Sequence, residues 1–285
     1  MRMGFGAEGI GFGNALTATP TNTITGYYNP AMTPFQPQPT VVASVGFLSL
    51  DRNLNFLSFT RPLPPSAGMS FGLINSGVSN IDGRDSDGRH TQTLSTSENV
   101  FFLSFGLKVD PKVAIGISTK ILYHSLYTNI SSTTVGFDLG AVLTITTEWT
   151  VGLCIQDIGS KYKWDTSKLY GLNGNTTTDF FPVRKKLGLS YRPQGLAGLI
   201  SSEVELSARM FLWRAGIQYS LLDEFAVRGG FDQISISEDI AAKPSLGFST
   251  IARISNVTAF LGYAFVFEPY SPAGIHMVSV GVHFN

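Results

Sequence analysis

The stretch nearest to a metal-binding pattern is SNIDGRDSDGRH, Ser79–His90, which crowds Asp82, Asp85 and Asp87 into one short segment. The spacing resembles part of a calcium loop, but the bidentate Glu that completes such a loop is missing. We read these three residues, with Arg84, as a solvated outer loop able to meet a partner, and expect no metal there. His90, His124, His276 and His283 are scattered, and none is spaced with Cys or carboxylates as a metal site would require. Ser and Asp occur without a placed His, so a nucleophilic triad is unsupported. Cys154 is the only cysteine; it sits in an alternating segment, which argues for inert burial and excludes an internal disulfide. GIGFGNAL is not a GxGxxG between a strand and a helix, so no nucleotide loop is read from it. No catalytic residue and no cofactor are expected; a phospholipase-type barrel is the one enzymatic alternative.

A second set of polar residues is more informative. Asp138 lies in TTVGFDLGAVLTI on the face opposite Val135, Phe137, Leu139 and Leu143. Its own face carries Thr134, Gly136, Gly140 and Thr144. Lys120, Gln156, Arg184, Lys186 and Arg228 fall on similar faces of small residues. The solvated face of a soluble sheet would hold more Lys and Glu; a crowded barrel lumen holds small residues with a few paired charges. We therefore expect Asp138 inside a barrel, meeting a basic group or the amino-terminal segment, since buried charges must pair or reach water.

What must position these residues follows from composition and period. Charged residues are 14% of 285, against roughly a quarter in a typical soluble domain. Gly is abundant at 30 and Phe, at 21, exceeds Tyr and Trp together. Net charge is zero, so no basic field points to nucleic acid. No apolar run is long enough for a transmembrane helix. The start, MRMGFGAEGIGFG, lacks a signal peptide's pattern, so we expect either an internal protein or a mature or trimmed sequence.

Alternation with period two predominates. About fourteen strands are predicted, near 40–50, 53–61, 67–75, 99–109, 112–125, 133–146, 149–158, 182–192, 196–208, 211–221, 225–233, 241–253, 257–267 and 275–285. Many are close to the roughly 9–11 residues that cross a bilayer when tilted. Alternate connections are tight (RPLPPS, DPK, TEW, RPQG, LLDE, RISN), while the others include the long ones, Ser76–Glu98, Tyr127–Ser132, Gly159–Phe181, Ser235–Asp239 and Glu268–Gly274. Such alternation fits an all-β, membrane-spanning, up-and-down antiparallel barrel with short periplasmic turns, lying in the bacterial outer membrane. A soluble β-sandwich is the rival fold. Trp149, Trp164, Tyr191, Trp213, Tyr219, Tyr263 and Tyr270 are expected in interfacial girdles. Residues 1–38 are rich in Gly, Thr and Pro and have no period. We expect them to form a compact plug inside a barrel of residues 39–285, with Asn29 bonding local backbone before Pro30; a disordered leader is the alternative on composition.

RMGFGAEGIGFGNALTATPTNTITGYYNPAM resembles the leader of the FadL-like outer-membrane superfamily, whose plug ends in a similar Asn-Pro-Ala motif. The body resembles the PorV/PorQ branch in GLINSGVSNIDGRDSDGRH, FLSFGLKVDPKVAIGISTKIL, GFDLGAVL, VGLCIQDIGSKYKW, FPVRKKLGLSYRP and GIHMVSVGVHF, in the family's order over nearly the whole chain. Departures are Pro34 and Phe35 after Met32, where the family has Gly-Leu, and LGYAF without the usual Asp. The resemblance implies a fourteen-stranded barrel with an amino-terminal hatch whose motif is Asn29, Pro30 and Ala31. It also implies a role in type IX-like secretion, with a translocon or secreted cargo as partner. The alternative is a FadL-like channel taking up hydrophobic small molecules. That alternative needs a lateral opening, which Pro62, Pro64 and Pro65 could provide by breaking strand pairing.

Overall fold

A computed structural model describes residues 3–20, 23–208, 210–235, 240–254 and 256–284. Fourteen antiparallel strands form one closed barrel: β1 (Thr40–Phe47), β2 (Arg52–Leu63), β3 (Ala67–Arg84), β4 (His90–Asp110), β5 (Val113–Tyr127), β6 (Ile130–Thr144), β7 (Trp149–Ile158), β10 (Arg184–Tyr191), β11 (Gly198–Ser207), β12 (Met210–Leu222), β13 (Phe225–Ile234), β14 (Lys243–Ile254), β15 (Val257–Val266) and β16 (Ile275–Phe284). A separate two-stranded sheet, β8 (Lys161–Asp165) with β9 (Thr176–Phe180), is inserted between β7 and β10. The seam between β1 and β16 is paired from Thr40↔His283 to Phe47↔His276, so the first and last strands leave no open edge. The predicted class and strand count therefore hold, and the sandwich rival falls.

Alternation explains the wall. On β6, Val135, Phe137, Leu139 and Leu143 are exposed, while Asp138 and Val142 between them are buried. The same reversal runs through β4, where Phe101, Leu103 and Phe105 point out and Phe102 and Ser104 point in. Large apolar side chains on the exterior and small or polar ones within are what lipid outside and a filled lumen require.

Two expected loops are instead strand. Ser76–Glu98 continues the β3–β4 hairpin, pairing Ser76↔Glu98 through Arg84↔His90 around a turn at residues 85–89. Its polar Ser, Thr and Asn residues hid it, because a ribbon wet on both faces needs no apolar alternation. In the expected Tyr127–Ser132 loop, Tyr127 pairs with Ile130, and Asn129 takes the left-handed backbone (φ 62°) that lets a two-residue turn close. Residues 236–239 of the expected Ser235–Asp239 loop lie outside the described residues. Pro62, Pro64 and Pro65 do not open the wall: Pro62 pairs with Gly68 and Leu63 with Ala67, so the prolines sit at the tight end of an unbroken hairpin. Trp164 is also displaced from its expected girdle, lying in β8 with its ring 5.2 Å from that of His124.

The amino-terminal segment packs against the inner faces of the strands. It contains α1 (Gly6–Gly11), α2 (Thr25–Tyr28) and a 3-10 turn, Pro30–Phe35. Phe5, Phe12, Ala15, Ala31 and Met32 are buried. It is tied to the wall by Ala7 N–H to Ser279 Oγ (2.7 Å), Ser104 Oγ to Gly26 O (2.9 Å), Ser190 Oγ to Ala18 O (2.8 Å) and Thr33 Oγ1 to Gly68 O (3.0 Å). Small hydroxyl residues on the inward faces thus bond a segment with little regular hydrogen bonding of its own.

Candidate functional site

The inner wall divides into two unlike halves. From β5 to β13 runs a belt of buried charge. Lys120 on β5 pairs with Asp138 on β6 (2.6 Å) and Asp157 on β7 (3.3 Å). Arg184 on β10 reaches Asp157 (3.1 Å) and, less closely, Glu205 on β11 (3.9 Å). Lys186 lies 3.5 Å from Glu203 and 3.8 Å from Glu205. Arg214 on β12 binds Glu203 (3.1 Å), Glu205 (2.9 Å) and Asp232 on β13 (2.5 Å). The belt also grips the amino-terminal segment: Thr17 N–H donates to Glu203 (3.0 Å) and Asn14 Nδ2 to Asp232 (2.9 Å).

All six residues read from sequence as lumen candidates, Lys120, Asp138, Gln156, Arg184, Lys186 and Arg228, are buried on the inward face. Four of them join the belt. Gln156 instead donates to Tyr27 O (3.2 Å) and Tyr28 O (3.4 Å), and Arg228 pairs with Glu8 (3.4 Å). Asp138 itself binds Lys120 and accepts the backbone N–H of Asp157 (2.9 Å).

Sequence reasoning missed Asp157, Glu203, Glu205, Arg214 and Asp232. Glu203 and Glu205 alternate with Val204 and Leu206, so the period could have found them. Asp157 follows the inward Gln156 and by alternation should face lipid. A bulge between Phe137↔Ile158 and Leu139↔Ile155, with Asp157 at φ 64°, turns it inward.

Asn29 is completely buried. Its Nδ2 donates to Thr17 O (2.8 Å), with longer contacts to Leu153 O and Ala141 O, and its Oδ1 accepts from Ala31 N–H (3.0 Å). Pro30 and Ala31 follow as the start of the 3-10 turn. The wall approaches so closely here that a Cβ on Gly140 would lie 2.0 Å from Asn29 Oδ1.

The other half of the wall is apolar at the long-loop end. Leu54, Phe56, Ile74, Val100, Phe102 and Leu122 form one buried cluster with Phe5 and Tyr27. Phe5 stacks on Phe56 at 5.7 Å between centroids, and Tyr27 meets Phe5 edge-on at 4.7 Å. The β8–β9 insertion caps this patch: Tyr162 packs on Phe181 (4.9 Å) and on His124 (5.3 Å). Beneath Phe181 a cavity of only about 20 Å³ remains, bounded by Ile74, Val100, Lys120 and Arg184.

At the projecting tip of β3–β4, Asp82 accepts from Arg84 Nε (2.8 Å) and contacts His90 Nδ1 (2.6 Å). Those bonds, the one to His90 foremost, hold its carboxyl below the usual range. Asp85 accepts the backbone N–H groups of Asp87 and Arg89 (2.9 Å each), an Asx-type turn. Among the described residues no group of His, Cys, Asp or Glu is placed to hold a metal ion.

No protein-family model matches the chain, and no curated protein matches it. Solved structures do resemble it. The Pseudomonas putida toluene transporter TodX superposes with a TM-score of 0.69 at 13% identity, over 98% of this chain and 97% of its own. CymD, a monoaromatic hydrocarbon channel, gives 0.71 at 13% identity, over 99% and 98%. A FadL homologue of Pseudomonas aeruginosa gives 0.66 at 11% identity, over 97% of each chain. These likenesses establish a FadL-like barrel fold over nearly the full length.

Proposed function

We propose that the chain is an outer-membrane channel for small hydrophobic molecules, with residues 1–38 as a plug, residues 39–285 as the barrel and bacterial outer-membrane lipid around its exterior. The observation that carries this reading is the apolar patch of Leu54, Phe56, Ile74, Val100, Phe102 and Leu122 on the inner wall. A path for ions or sugars would keep that wall polar; an aromatic-lined surface stabilises an apolar solute instead. The full-length likeness to hydrocarbon channels supports the same substrate class. No chemistry is involved: the cap of Tyr162 and Phe181 must move for a molecule to reach the patch. Toluene uptake by cells or proteoliposomes carrying the chain tests this. Uptake should exceed that of empty controls and fall when Ile74→Asp places a charge on the patch. Uptake no faster than the control, with a folded barrel, would overturn the proposal.

The export role implied by the PorV/PorQ resemblance rests on sequence stretches and on one structural feature, the charged β3–β4 hairpin reaching past its neighbours. Asp82, Arg84, Asp85 and Asp87 lie at its exposed tip, where a translocon or cargo protein would meet it. Co-purification from the native membrane separates this reading from the channel.

A further inference from the structure

A cavity of about 200 Å³ lies at the other end of the lumen, near the short turns and away from the apolar patch. Glu8, Thr23 and Ile24 of the amino-terminal segment line one side, and the inner faces of β12 to β16 and β1 line the rest. The buried Arg228 is held in a fixed orientation: its Nε donates to Gln218 Oε1 (2.7 Å), and its Nη2 reaches Glu8 Oε1 (3.4 Å). The second oxygen of Glu8 accepts the Thr23 hydroxyl. Both oxygens of the one carboxylate in the cavity are therefore engaged.

The donors are not. Among the described residues, Arg228 Nη1, Gln218 Nε2 and the hydroxyls of Ser220 and Ser249 make no hydrogen bond, and all four side chains line the cavity. A guanidinium carries five N–H groups in a planar fork that matches a carboxylate. The site thus has spare donors around one fixed cation, beside the apolar surfaces of Ile24, Ile251 and Phe260. It asks for a molecule with an acceptor head and a small apolar body. Size limits that body: a dry protein cavity of about 150 Å³ admits benzene. This one holds a single ring or short chain with its carboxylate, and no long acyl chain.

We propose that this cavity is a binding site for small monocarboxylates, with the head on Arg228 and Gln218 and the body against Ile251 and Phe260. The site is separate from the apolar patch, so it stands or falls independently of hydrocarbon uptake. The experiment is ¹⁹F NMR titration of the purified full-length barrel in detergent with 4-fluorobenzoate, and with 4-fluorotoluene as the neutral isostere. Saturable binding of the benzoate is expected. Arg228→Gln should weaken it by about tenfold or more, as loss of a charge-assisted pair implies, with 4-fluorotoluene unaffected. Ile251→Trp should fill the cavity and abolish binding while leaving Arg228 in place. Glu8→Gln, which removes the competing carboxylate charge but keeps an acceptor for Thr23, should tighten it. The proposal is overturned if the benzoate only partitions into micelles without saturating, if Ile251→Trp leaves binding intact, or if Glu8→Gln weakens it. Should Arg228→Gln fail to fold, the other two variants decide.

Discussion

Tyr162 Oη donates to Glu98 Oε1 across 2.7 Å, and this bond ties the β8–β9 insertion to the inner wall of β4. Burial, and then the bond to the Glu98 carboxylate, push the phenol above its ordinary range. The protonated phenol is the donor, so the contact is fully present below the unfolded tyrosine pKa of about 10 and is lost only as pH rises through the higher folded value. Tyrosinate absorbance should therefore lose one late-titrating phenol in Tyr162→Phe. Removing a hydrogen bond worth about 0.5–1.5 kcal/mol should also raise the open population of the cap roughly two- to tenfold, read as faster toluene uptake at neutral pH.

Lys120 stands between Asp138 and Asp157, so the two ends of this triad are not equivalent. Lys120→Met would leave two carboxylates facing each other in the lumen, with Asp157 still held by Arg184 and Asp138 without its cation. Asp138→Asn leaves Lys120 paired to Asp157. Breaking a buried pair by removing one member costs about 3–5 kcal/mol. The lysine variant should fall in that range and the asparagine variant below it, measured as the shift in the temperature at which the folded band converts to the unfolded one on a gel. Equal losses would show that the triad does not act as drawn.

The fold was legible because lipid and lumen impose opposite demands on alternate residues. In β6 the pattern Val135, Phe137, Leu139 against Gly136, Asp138, Gly140 states both faces at once. The same logic recovers Glu203, Glu205 and Arg214 when followed strictly along β11 and β12. It fails at Asp157, where one extra residue in the strand reverses the phase, and nothing local in CIQDIG announces the bulge. It fails again along residues 79–96, where both faces are wet and the period carries no information. The split of the lumen into charged and apolar halves is a property of strand order around the barrel, which no single segment contains.

That projecting hairpin should be dispensable for the barrel. The last paired rungs of β3 and β4 with neighbouring strands are Val78 with Arg52 and Ser97 with Ser125; beyond them Ser79 N–H donates to Asp51 O (3.1 Å) and Gln92 Nε2 to Tyr127 Oη (2.9 Å). Replacing residues 79–95 by Asn-Gly removes no rung of the wall, and an Asn-Gly turn suits a two-residue hairpin. Stability should change by about 1 kcal/mol or less, the net worth of the exposed side-chain bond from Gln92 to Tyr127 that the replacement removes. Toluene uptake should be unchanged. If a protein co-purifies with the intact chain through Asp82, Arg84, Asp85 and Asp87, it should be lost from the shortened one.

The contact between Asn29 and Gly140 gives the sharpest test of how the amino-terminal segment is seated. Any side chain at position 140 must occupy the place of the Asn29 amide, which is itself bonded to Thr17 O and Ala31 N–H and has no room to retreat. Gly140→Ala should cost about 1–3 kcal/mol by overpacking. Asn29→Ala should cost a similar amount by leaving buried backbone groups without their partner. The double variant should be better than the sum, because truncating Asn29 makes the space that the added methyl at position 140 needs; contacting residues couple by about 0.5–3 kcal/mol. Thermal conversion of the folded band for the four proteins of this cycle supplies the measurement. Strict additivity would mean that the segment does not press on β6 at this point, and the seating of residues 14–36 against β5, β6 and β7 would have to be redrawn.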